Sequence, residues 1–582
     1  MNECLCLACA VFVSAPFALA REGKSAYRIA VPDKPSPATT YAAAEFQRLM
    51  HAISGARLPI VAESKIGSGP AVHIGMTRRA RAIFGADTPS PEDGIGMRTG
   101  ARDVALVGGN ERGTVYAVYV FFERYLGVLY LANDCTIIPK RRTIALPAIN
   151  HIYAPPFMYR ETLYYNSTAR EIAVPQRLNG PTTDCDASVG GKIAFHPYVH
   201  SFSKLVPPEK YFAEHPEYFS LVGGKRVGES VHGQLCLTNP DVLRIAKEQV
   251  LAWIREYPEV PIIDVSQNDG NGACECDACR AIEAEEQSPH GPILRFVNAI
   301  ADEVKLRYPD KWIETLAYAY STKPPAKTRP RDNVIIRLCH AGCYHHGFEQ
   351  CGLGANLTTY LEGWRKLTRR IFVWHYAANF AHYISPVFNL DGLAKDLKAY
   401  AKYGVNGVMV QANYQGPGGE LAELRQYLAA QLLWDPRRDP AEIRREFCDG
   451  YYGPASGDVQ SFLALMDREA ARPDSHAFGA WDPSSTVRPE FVSEGMAILA
   501  SARRACRTDE ERGRVDKLML PLWYMQLQWP EKYALKRDEA PAFVARFRQV
   551  VERFGISHVC EGGAPNMAAW LDGMAKRYPA QP

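Results

Sequence analysis

Between residues 151 and 435 the chain alternates short apolar runs with longer amphipathic ones, and this rhythm constrains the fold more than any other feature. Short apolar runs predict buried strands, and the patterns between several of them predict helices. Strands that alternate with helices form a parallel sheet. Seven strands are predicted, at 157–160, 194–198, 262–265, 313–319, 334–338, 371–374 and 407–410. An eighth would close a (β/α)8 barrel, which is the fold we expect.

The segments on either side of this region have different patterns. Residues 21–150 predict a small α/β domain, with a strand at 27–31 and a helix from Thr39 that ends at Gly55. Residues 436–582 are mostly helical in pattern. The expected organisation is therefore a leader at 1–20, an accessory α/β domain at 21–150, the barrel at 151–435 and a helical domain at 436–582.

The first twenty residues predict an export signal. Residues 5–19 are apolar, and Ala18-Leu19-Ala20 is a small-x-small cleavage pattern before Arg21. The run is too short for a secure membrane span, and no later stretch reaches about 18 apolar residues. We therefore expect an exported protein (periplasmic, cell-surface or extracellular) without a membrane span.

Charge argues against nucleic acid as a partner. The 582 residues carry a formal net charge of +3, and no basic tract stands out. The sequence has no His-Glu-x-x-His, no phosphate-binding glycine loop and no Gly-x-Ser-x-Gly. Metalloprotease, nucleotide-dependent and α/β-hydrolase functions therefore lack support, and no cofactor is expected.

The segment after the strand pattern 262–265 is the best candidate for a site. Ser266, Gln267, Asn268 and Asp269 follow directly, and strand ends carry the chemistry in α/β barrels. A carboxyl group near apolar walls can hold a proton at neutral pH, so Asp269 is the leading candidate for a general acid. Gln267 and Asn268 could bind an amide or hydroxyl beside it. The alternative is an inert Asn-Asp-Gly turn.

Other polar and aromatic residues also fall at predicted strand ends, where they would converge on one pocket. Glu161 is the best second carboxylate, and its alternative role is a salt bridge to a neighbouring arginine. Glu420 is a weaker candidate, because it also fits an ordinary helix start. The remaining candidates are Arg160, His196, His200, Tyr318, Tyr320, His340, Trp374, His375, Tyr376, Gln411, Asn413 and Gln415.

Two groups of cysteines are closely spaced. Cys274, Cys276 and Cys279 could bind zinc with Cys185, His340 or a later cysteine. The second group is Cys339, Cys343 and Cys351, with His340, His345 and His346 between them. Cys-x-Cys-x-x-Cys is only half of a zinc site, and export favours disulfides between the groups. We therefore predict disulfides or inert thiols rather than a metal site.

Several short motifs resemble those of the bacterial domain of unknown function 4838, which overlaps glycoside hydrolase family 163. They are residues 215–219 (HPEYF), 234–240 (QLCLTNP), 266–269 (SQND) with the Cys-x-Cys-x-x-Cys, 432–436 (LLWDP) and 451–453 (YYG). The N-terminal part is similar to the domain that precedes the barrel in glycoside hydrolase families 20, 67 and 84. The motifs there are 42–46 (AAAEF) with 54–55 (SG), 58–60 (LPI) and 112–117 (RGTVYA).

The resemblance implies a secreted, retaining glycoside hydrolase that acts on β-linked glycans containing N-acetylhexosamine, as an endo-β-N-acetylglucosaminidase would. Family 20 enzymes use an adjacent Asp-Glu pair, and Asn268-Asp269 would correspond to it here. On this hypothesis Asp269 is the acid/base, and Glu161 or the substrate's acetamide supplies the attacking group. The sugar site would be lined by His196, His200, Trp374, Tyr376 and Asn413.

Three alternatives stay open. An α-glucuronidase-like enzyme on plant polysaccharide would need Arg160 and Arg337 to face the pocket. A carbohydrate-binding protein without catalysis would explain the missing carboxylate beside Asp269. A zinc-stabilised structural protein would use the cysteine groups.

Overall fold

The computed structural model describes residues 17–229, 232–340 and 342–579. The chain divides into two compact units. The first takes in the chain up to Leu129 together with residues 136–155 and 185–191, and the second comprises 130–135, 156–184 and 192–582. The helical segment after Asp435 belongs to the same unit as the parallel sheet. No helix in the described ranges is both long and apolar enough to cross a membrane.

The first unit is built on a six-stranded mixed sheet. In spatial order its strands are Asn150–Tyr153, Ile95–Thr99, Val104–Gly108, Ala71–Ile74, Arg28–Val31 and Ile60–Ala62. Its helices are Pro37–Ser54, Arg78–Phe84 and Glu111–Phe121, the last continued by a π-helical turn at Phe122–Leu126. The predicted α/β character of this segment is confirmed.

The first long helix shows why the sequence pattern was informative. Ser36 accepts a hydrogen bond from the Thr39 backbone N–H at 3.1 Å, and proline occupies the first turn. Gly55 ends the helix with φ +82°, a left-handed conformation that favours glycine. Its buried face includes Phe46 and Leu49. Start, stop and apolar face thus agree with the predicted helix.

The predicted leader falls largely outside the described residues, which begin at 17. Phe17–Ala20 forms a strand antiparallel to Ile144–Leu146. Leu19 and Ala20 are buried there. The small-x-small pattern thus contributes a strand to this unit.

The second unit contains a curled, seven-stranded parallel sheet. Its strands are Tyr159–Leu163, Phe195–His196, Ile262–Asp264, Trp312–Ala317, Val334–Cys339, Ile371–Tyr376 and Gly407–Gln411. All seven strand predictions are confirmed within a few residues. The expected eighth strand is absent from the described ranges. Gly407–Gln411 pairs directly with Tyr159–Leu163, and the sheet is open between Tyr159–Leu163 and Phe195–His196. The closed (β/α)8 barrel is therefore wrong in its strand number, although the parallel order around the sheet is kept.

The curl brings the two edge strands together without pairing their backbones. Tyr159 lies on one edge and Phe195 on the other, and their ring centroids are 5.2 Å apart. Arg337 lies inside the curl, and the ring centroids of Tyr159, Phe195, Tyr198 and Trp374 lie 4.7–6.0 Å from its guanidinium carbon. The interior is therefore a packed core and not a pore.

Helices accompany the sheet and continue beyond it. Those interleaved with the strands are Arg170–Ala173, Phe202–Leu205, Pro208–Tyr211, Pro240–Glu256, Asp277–Glu286, His290–Arg307, Ala355–Leu367 and Leu390–Lys402, and Ala422–Trp434 follows the last strand. The remaining helices are Pro440–Tyr452, Ser456–Ala470, Pro489–Ala505, Asp509–Gln528, Ala540–Phe554 and Met567–Arg577. Two small hairpins pair Leu129–Ala132 with Cys135–Ile137 and Leu221–Val222 with Lys225–Arg226.

Candidate functional site

An open cavity of about 400 Å³ lies at the carboxyl ends of the parallel strands. Parallel barrels place their active sites at this end. Most of the lining side chains come from strand ends and the loops that follow them. They are Leu163, Tyr198, Val199, His200, Asp269, Leu316, Tyr318, Cys339, Trp374, Tyr376, Phe380, Gln411, Tyr414 and Glu561.

Asp269 opens onto this cavity, as the sequence predicts for its position. Its side chain is half-buried, and Oδ1 accepts a hydrogen bond from the Tyr318 hydroxyl at 2.8 Å. His232 Nδ1 lies 2.9 Å from the Asp269 backbone oxygen. Asp269 and Tyr318, from neighbouring strand ends, thus form a polar pair at the cavity wall.

The residues just before Asp269 serve the loop and not the cavity. Asn268 is buried, and its side chain is bonded to the Ser203 N–H at 3.1 Å and to the Gly233 carbonyl at 2.5 Å. Gln267 is also buried, with its amide nitrogen 3.2 Å from the Tyr318 carbonyl. The structure therefore brings neither predicted amide to the cavity, because both are used to hold the backbone that carries Asp269.

A second carboxylate, Glu561, reaches the same cavity from the segment before the last helix. It is solvent-exposed at the rim, near Tyr414. The Gln411 amide nitrogen lies 3.5 Å from Oε1. Partial burial of the carboxyl group raises the pKa of Glu561, and the negative charge of Asp269 adds to the effect. Sequence reasoning missed this residue.

Aromatic rings form much of the cavity wall. Trp374 and Tyr376 alternate along one strand and face inward, with ring centroids 6.1 Å apart. The Trp374 indole donates to Gln411 Oε1 at 2.7 Å, which orients the amide that approaches Glu561. Walls that combine aromatic rings with several polar groups are typical of a site for a ligand that has both apolar faces and hydrogen-bonding groups.

The predicted histidines divide into cavity-facing and outward-facing ones. His200 lines the cavity, and its Nδ1 lies 2.9 Å from the Gln267 carbonyl. His340 and His375 are buried on the other side of their strands, where both Nδ1 atoms contact the Tyr400 hydroxyl, at 2.8 and 3.0 Å. His196 is stacked on Tyr257, with ring centroids 3.9 Å apart, and does not line the cavity.

Glu161 and Asn413 are also placed away from the cavity surface. Glu161 is fully buried among Tyr159, Thr182 and Tyr198, each of which donates a hydrogen bond to it. The Asn413 side chain is bonded to the Gly416 carbonyl at 3.0 Å. Both are predicted site residues that the structure separates from Asp269.

Below the cavity, two further carboxyl groups and one cation share the sheet interior. Arg337 forms an ion pair with Glu314, and both side chains are fully buried. Burial raises the pKa of Glu314 to about 8 and that of Asp264 to about 7, although Arg337 opposes both shifts. Asp264 Oδ2 is buried with no hydrogen-bond partner among the described residues. Arg337 is paired with Glu314 and not with Asp264, so burial favours a proton on this pair of carboxyl groups near neutral pH.

This proton makes folding stability sensitive to pH. A carboxyl group whose pKa is raised in the folded state binds a proton more tightly there than in the unfolded chain. The stability that this proton contributes therefore falls from about pH 4, where the unfolded carboxyl group ionises, up to about pH 7 to 8, where the folded one does. We expect Asp264→Asn to gain about 1 kcal/mol relative to wild type between pH 6.5 and 8.5. Denaturant unfolding followed by tryptophan fluorescence measures this difference, in which the titrations of groups distant from this cluster cancel.

A surface variant provides the control for this comparison. Asp302 is paired with Arg331 at an exposed position, so Asp302→Asn should leave the pH dependence unchanged. If the Asp264→Asn and wild-type proteins have parallel pH profiles, the buried proton is not at this cluster.

The cysteine groups do not form the disulfides predicted between them. Within the described ranges no cysteine is disulfide-bonded, and the two groups belong to separate clusters. Cys274, Cys276 and Cys279 gather around Cys236, whereas Cys343 and Cys351 gather with His346 and His476. Cys339 instead lines the cavity. The disulfide part of the prediction is therefore wrong, because the two groups lie apart and each gathers with a residue distant in sequence, Cys236 or His476.

The fold and the cavity define an α/β protein with an acidic, aromatic-walled site at the carboxyl ends of a curled parallel sheet. The chain belongs to the DUF4838 family, described as a domain of unknown function, which matches residues 130–464. The comparison with curated proteins gives no match.

Solved structures are similar to this chain at low sequence identity. One is a family GH115 4-O-methyl-α-glucuronidase with specificity for decorated arabinogalactans, at 10% identity and a TM-score of 0.56, covering 94% of this chain and 81% of that one. Another is CpGH84D, at 10% identity and a TM-score of 0.48, with 96% of both chains covered. A GH138 enzyme targeting pectin rhamnogalacturonan II has 10% identity and a TM-score of 0.48, covering 90% and 73%. At this identity the GH115 likeness shows a common fold alone.

Proposed function

We propose that the protein is a glycoside hydrolase whose two working carboxylates are Asp269 and Glu561. The observation that carries the proposal is that both groups open onto one aromatic-walled cavity. Glycosidic bond hydrolysis uses a pair of carboxyl groups on either side of the scissile bond, one as proton donor and one as base or nucleophile. The cavity supplies such a pair, with rings against which a sugar face can pack.

The two environments suggest different roles. Glu561 has the raised pKa, so it holds a proton more readily and fits the general acid that protonates the leaving oxygen. Asp269 accepts a hydrogen bond from Tyr318, which orients its carboxylate toward the cavity as base or nucleophile. Asp269 thus takes the role of base or nucleophile, and Glu561 takes the role of general acid that the sequence first suggested for Asp269. Retention of anomeric configuration stays a prediction, measured by NMR of the first-formed product.

The cavity favours a neutral sugar over a uronic acid. Among the described residues that line it, none is lysine or arginine. Arg160 donates to the backbone carbonyls of Phe157 and Arg177, and Arg337 is paired with Glu314 below the cavity. The two cations that an α-glucuronidase-like site would need are thus used elsewhere. A non-catalytic role also loses its main support, because Glu561 supplies the second carboxylate.

From the family resemblance we further propose a β-linked glycan containing N-acetylhexosamine as the substrate, and from the leader pattern an exported location for the protein. The purified protein should hydrolyse complex N-glycans or aryl β-N-acetylglucosaminides and leave aldouronic acids intact, because no cation is placed to bind the uronate. Chromatography of the products from a panel of these glycans measures both the expected hydrolysis and its expected absence. Turnover of the aldouronic acids alone would favour the glucuronidase alternative, and tight binding without turnover would favour a lectin-like role.

A further inference from the structure

Four cysteines from two separate segments meet beside the loop that carries Asp269. Cys236 lies before the Pro240–Glu256 helix, and Cys274, Cys276 and Cys279 follow the Asp269 turn. Their four sulfur atoms all lie within 4.8 Å of one another. Three are buried and Cys276 is partly exposed. This convergence needs a chemical reason, because contacts among four neutral thiols are weak and stabilise the fold little.

The sulfur spacing fits a metal ion better than a disulfide. Cys236 Sγ and Cys276 Sγ are 3.7 Å apart. A disulfide needs about 2.05 Å. A tetrahedron with zinc–sulfur bonds of about 2.3 Å has sulfur–sulfur edges of about 3.8 Å. The observed separation is that of two ligands on one zinc ion.

The surroundings suit thiolates. The Leu221 N–H donates to Cys274 Sγ at 3.4 Å, and the Arg226 guanidinium lies 3.9 Å from the same sulfur. The Thr238 hydroxyl is 3.3 Å from Cys279 Sγ. Donors of this kind around a thiolate cluster stabilise its negative charge and fix the ligands. Cys276 also caps the Asp277–Glu286 helix, whose amino end favours negative charge.

We propose that Cys236, Cys274, Cys276 and Cys279 bind a structural zinc ion. Four protein ligands complete a tetrahedron and leave no open position, so the ion would hold structure and not activate water. Cysteine ligands select zinc over the harder cations.

The position of this ion gives it a role at the site, which rests on the proposed function. The segment that ends at Cys236 is hydrogen-bonded to the loop that carries Asp269. Gln234 Oε1 accepts from the Asn268 N–H at 3.0 Å, and its amide nitrogen donates to the Asn268 carbonyl at 2.9 Å. The zinc would join this segment to the one that follows Asp269. It therefore clamps both flanks of the loop and positions the carboxylate.

The geometry points to a second zinc ion at Cys343, His346, Cys351 and His476, on independent evidence. Their ligand atoms also lie within 4.8 Å of one another. Cys343 Sγ to His346 Nδ1 and Cys351 Sγ to His476 Nδ1 are both 3.6 Å. Zinc with bonds of about 2.3 Å to sulfur and 2.0–2.1 Å to nitrogen gives an edge of about 3.6 Å. The ion would tie the loop after Val334–Cys339 to the loop after Ser456–Ala470.

Metal analysis of the full chain tests both sites. The protein is purified without chelator, and zinc is counted by inductively coupled plasma mass spectrometry. We expect two zinc ions per wild-type chain, one in Cys276→Ser, one in Cys351→Ser and none in the double variant. Cys506→Ser is the matched control, because the Cys506 thiol donates to the Ala502 carbonyl at 3.3 Å, away from both clusters, and the variant should keep both ions.

Cobalt exchange provides a readout that needs no variant. Wild-type protein reconstituted with Co²⁺ should show thiolate-to-cobalt charge transfer and the intense visible bands of tetrahedral cobalt. Wild-type protein without stoichiometric zinc and without these bands, or with iron in its place, would overturn the proposal. Unchanged zinc in Cys276→Ser would overturn the first site, and in Cys351→Ser the second. Zinc content does not depend on turnover, so an inactive protein with two zinc ions contradicts only the proposed function.

Discussion

Glu561→Gln should lower kcat/KM by about 10²–10⁴-fold on a natural glycan while leaving far more activity on an aryl glycoside with a good leaving group. A natural leaving group departs as a poor alkoxide and needs a proton from the enzyme, whereas an activated phenol does not. The glutamine side chain would keep the shape of the glutamate and lose only the transferable proton. Steady-state kinetics with both substrates measure the contrast.

Asp269→Asn should behave differently, with a loss of about 10⁴-fold or more on both substrates. A base or nucleophile is needed whatever the leaving group is, because the sugar carbon must still be attacked. Glu561→Gln, which removes the proton donor, should also abolish the fall of kcat/KM at alkaline pH, because that fall reports the essential acid of the free enzyme. Glu349→Gln removes a surface partner of Lys402 and serves as the control, with wild-type kinetics expected.

The opposite pattern has a definite meaning. If Asp269→Asn spares the activated substrate and Glu561→Gln spares neither, Asp269 is the acid, as its position in the sequence first suggested. If both variants keep full activity, the cavity is not the catalytic site.

Much of the fold could be predicted from the sequence because its signals are local. A buried strand is a short apolar run and a helix is a longer periodic one, so all seven strands and several of the helices between them were expected. The strand number was overestimated because closure is not a local property. Whether Gly407–Gln411 pairs directly with Tyr159–Leu163 depends on how the whole sheet curls.

The site was predicted only where strand geometry decides it. Asp269, Tyr318, Trp374 and Tyr376 follow from convergence at the strand ends. His375 could have been excluded, since successive side chains on a strand face opposite sides and both of its neighbours face inward.

Glu561 and Cys236 could not be found in this way. Each comes from a segment distant in the chain, without an apolar pattern that fixes its position. Asn268 shows the other difficulty, because its side chain holds the loop and is turned away from the cavity.

Arg337→Met should lower the free energy of unfolding by about 3–5 kcal/mol, the largest stability effect expected from one side chain here. Arg337 is fully buried, and its Nη2 lies 3.1 Å from Glu314 Oε2. Methionine fills a similar volume but leaves Glu314 without its cation, in an interior where Asp264 also lies. Denaturant unfolding at pH 7 measures the loss, with Arg331→Met as the control. Arg331 and Asp302 are each about half exposed, so that change should cost at most about 1 kcal/mol.

The double variant Arg337→Met/Glu314→Leu decides what the loss means. If the cost of Arg337→Met is that of an orphaned carboxylate, removing the carboxylate as well should restore a large part of the stability, as for other buried ion pairs replaced by apolar residues. If the cost comes instead from the four aromatic rings around the guanidinium, the double variant will be at least as unstable as the single one. The double-mutant cycle compares the cost of Arg337→Met in wild type with its cost in the Glu314→Leu background. Arg337 contacts the rings in both backgrounds and Glu314 only in wild type, so the coupling energy separates the two causes. A large gain in the free energy of unfolding from the single to the double variant would show that charge pairing, and not ring packing, makes Arg337 necessary for the stability of the sheet interior below the cavity.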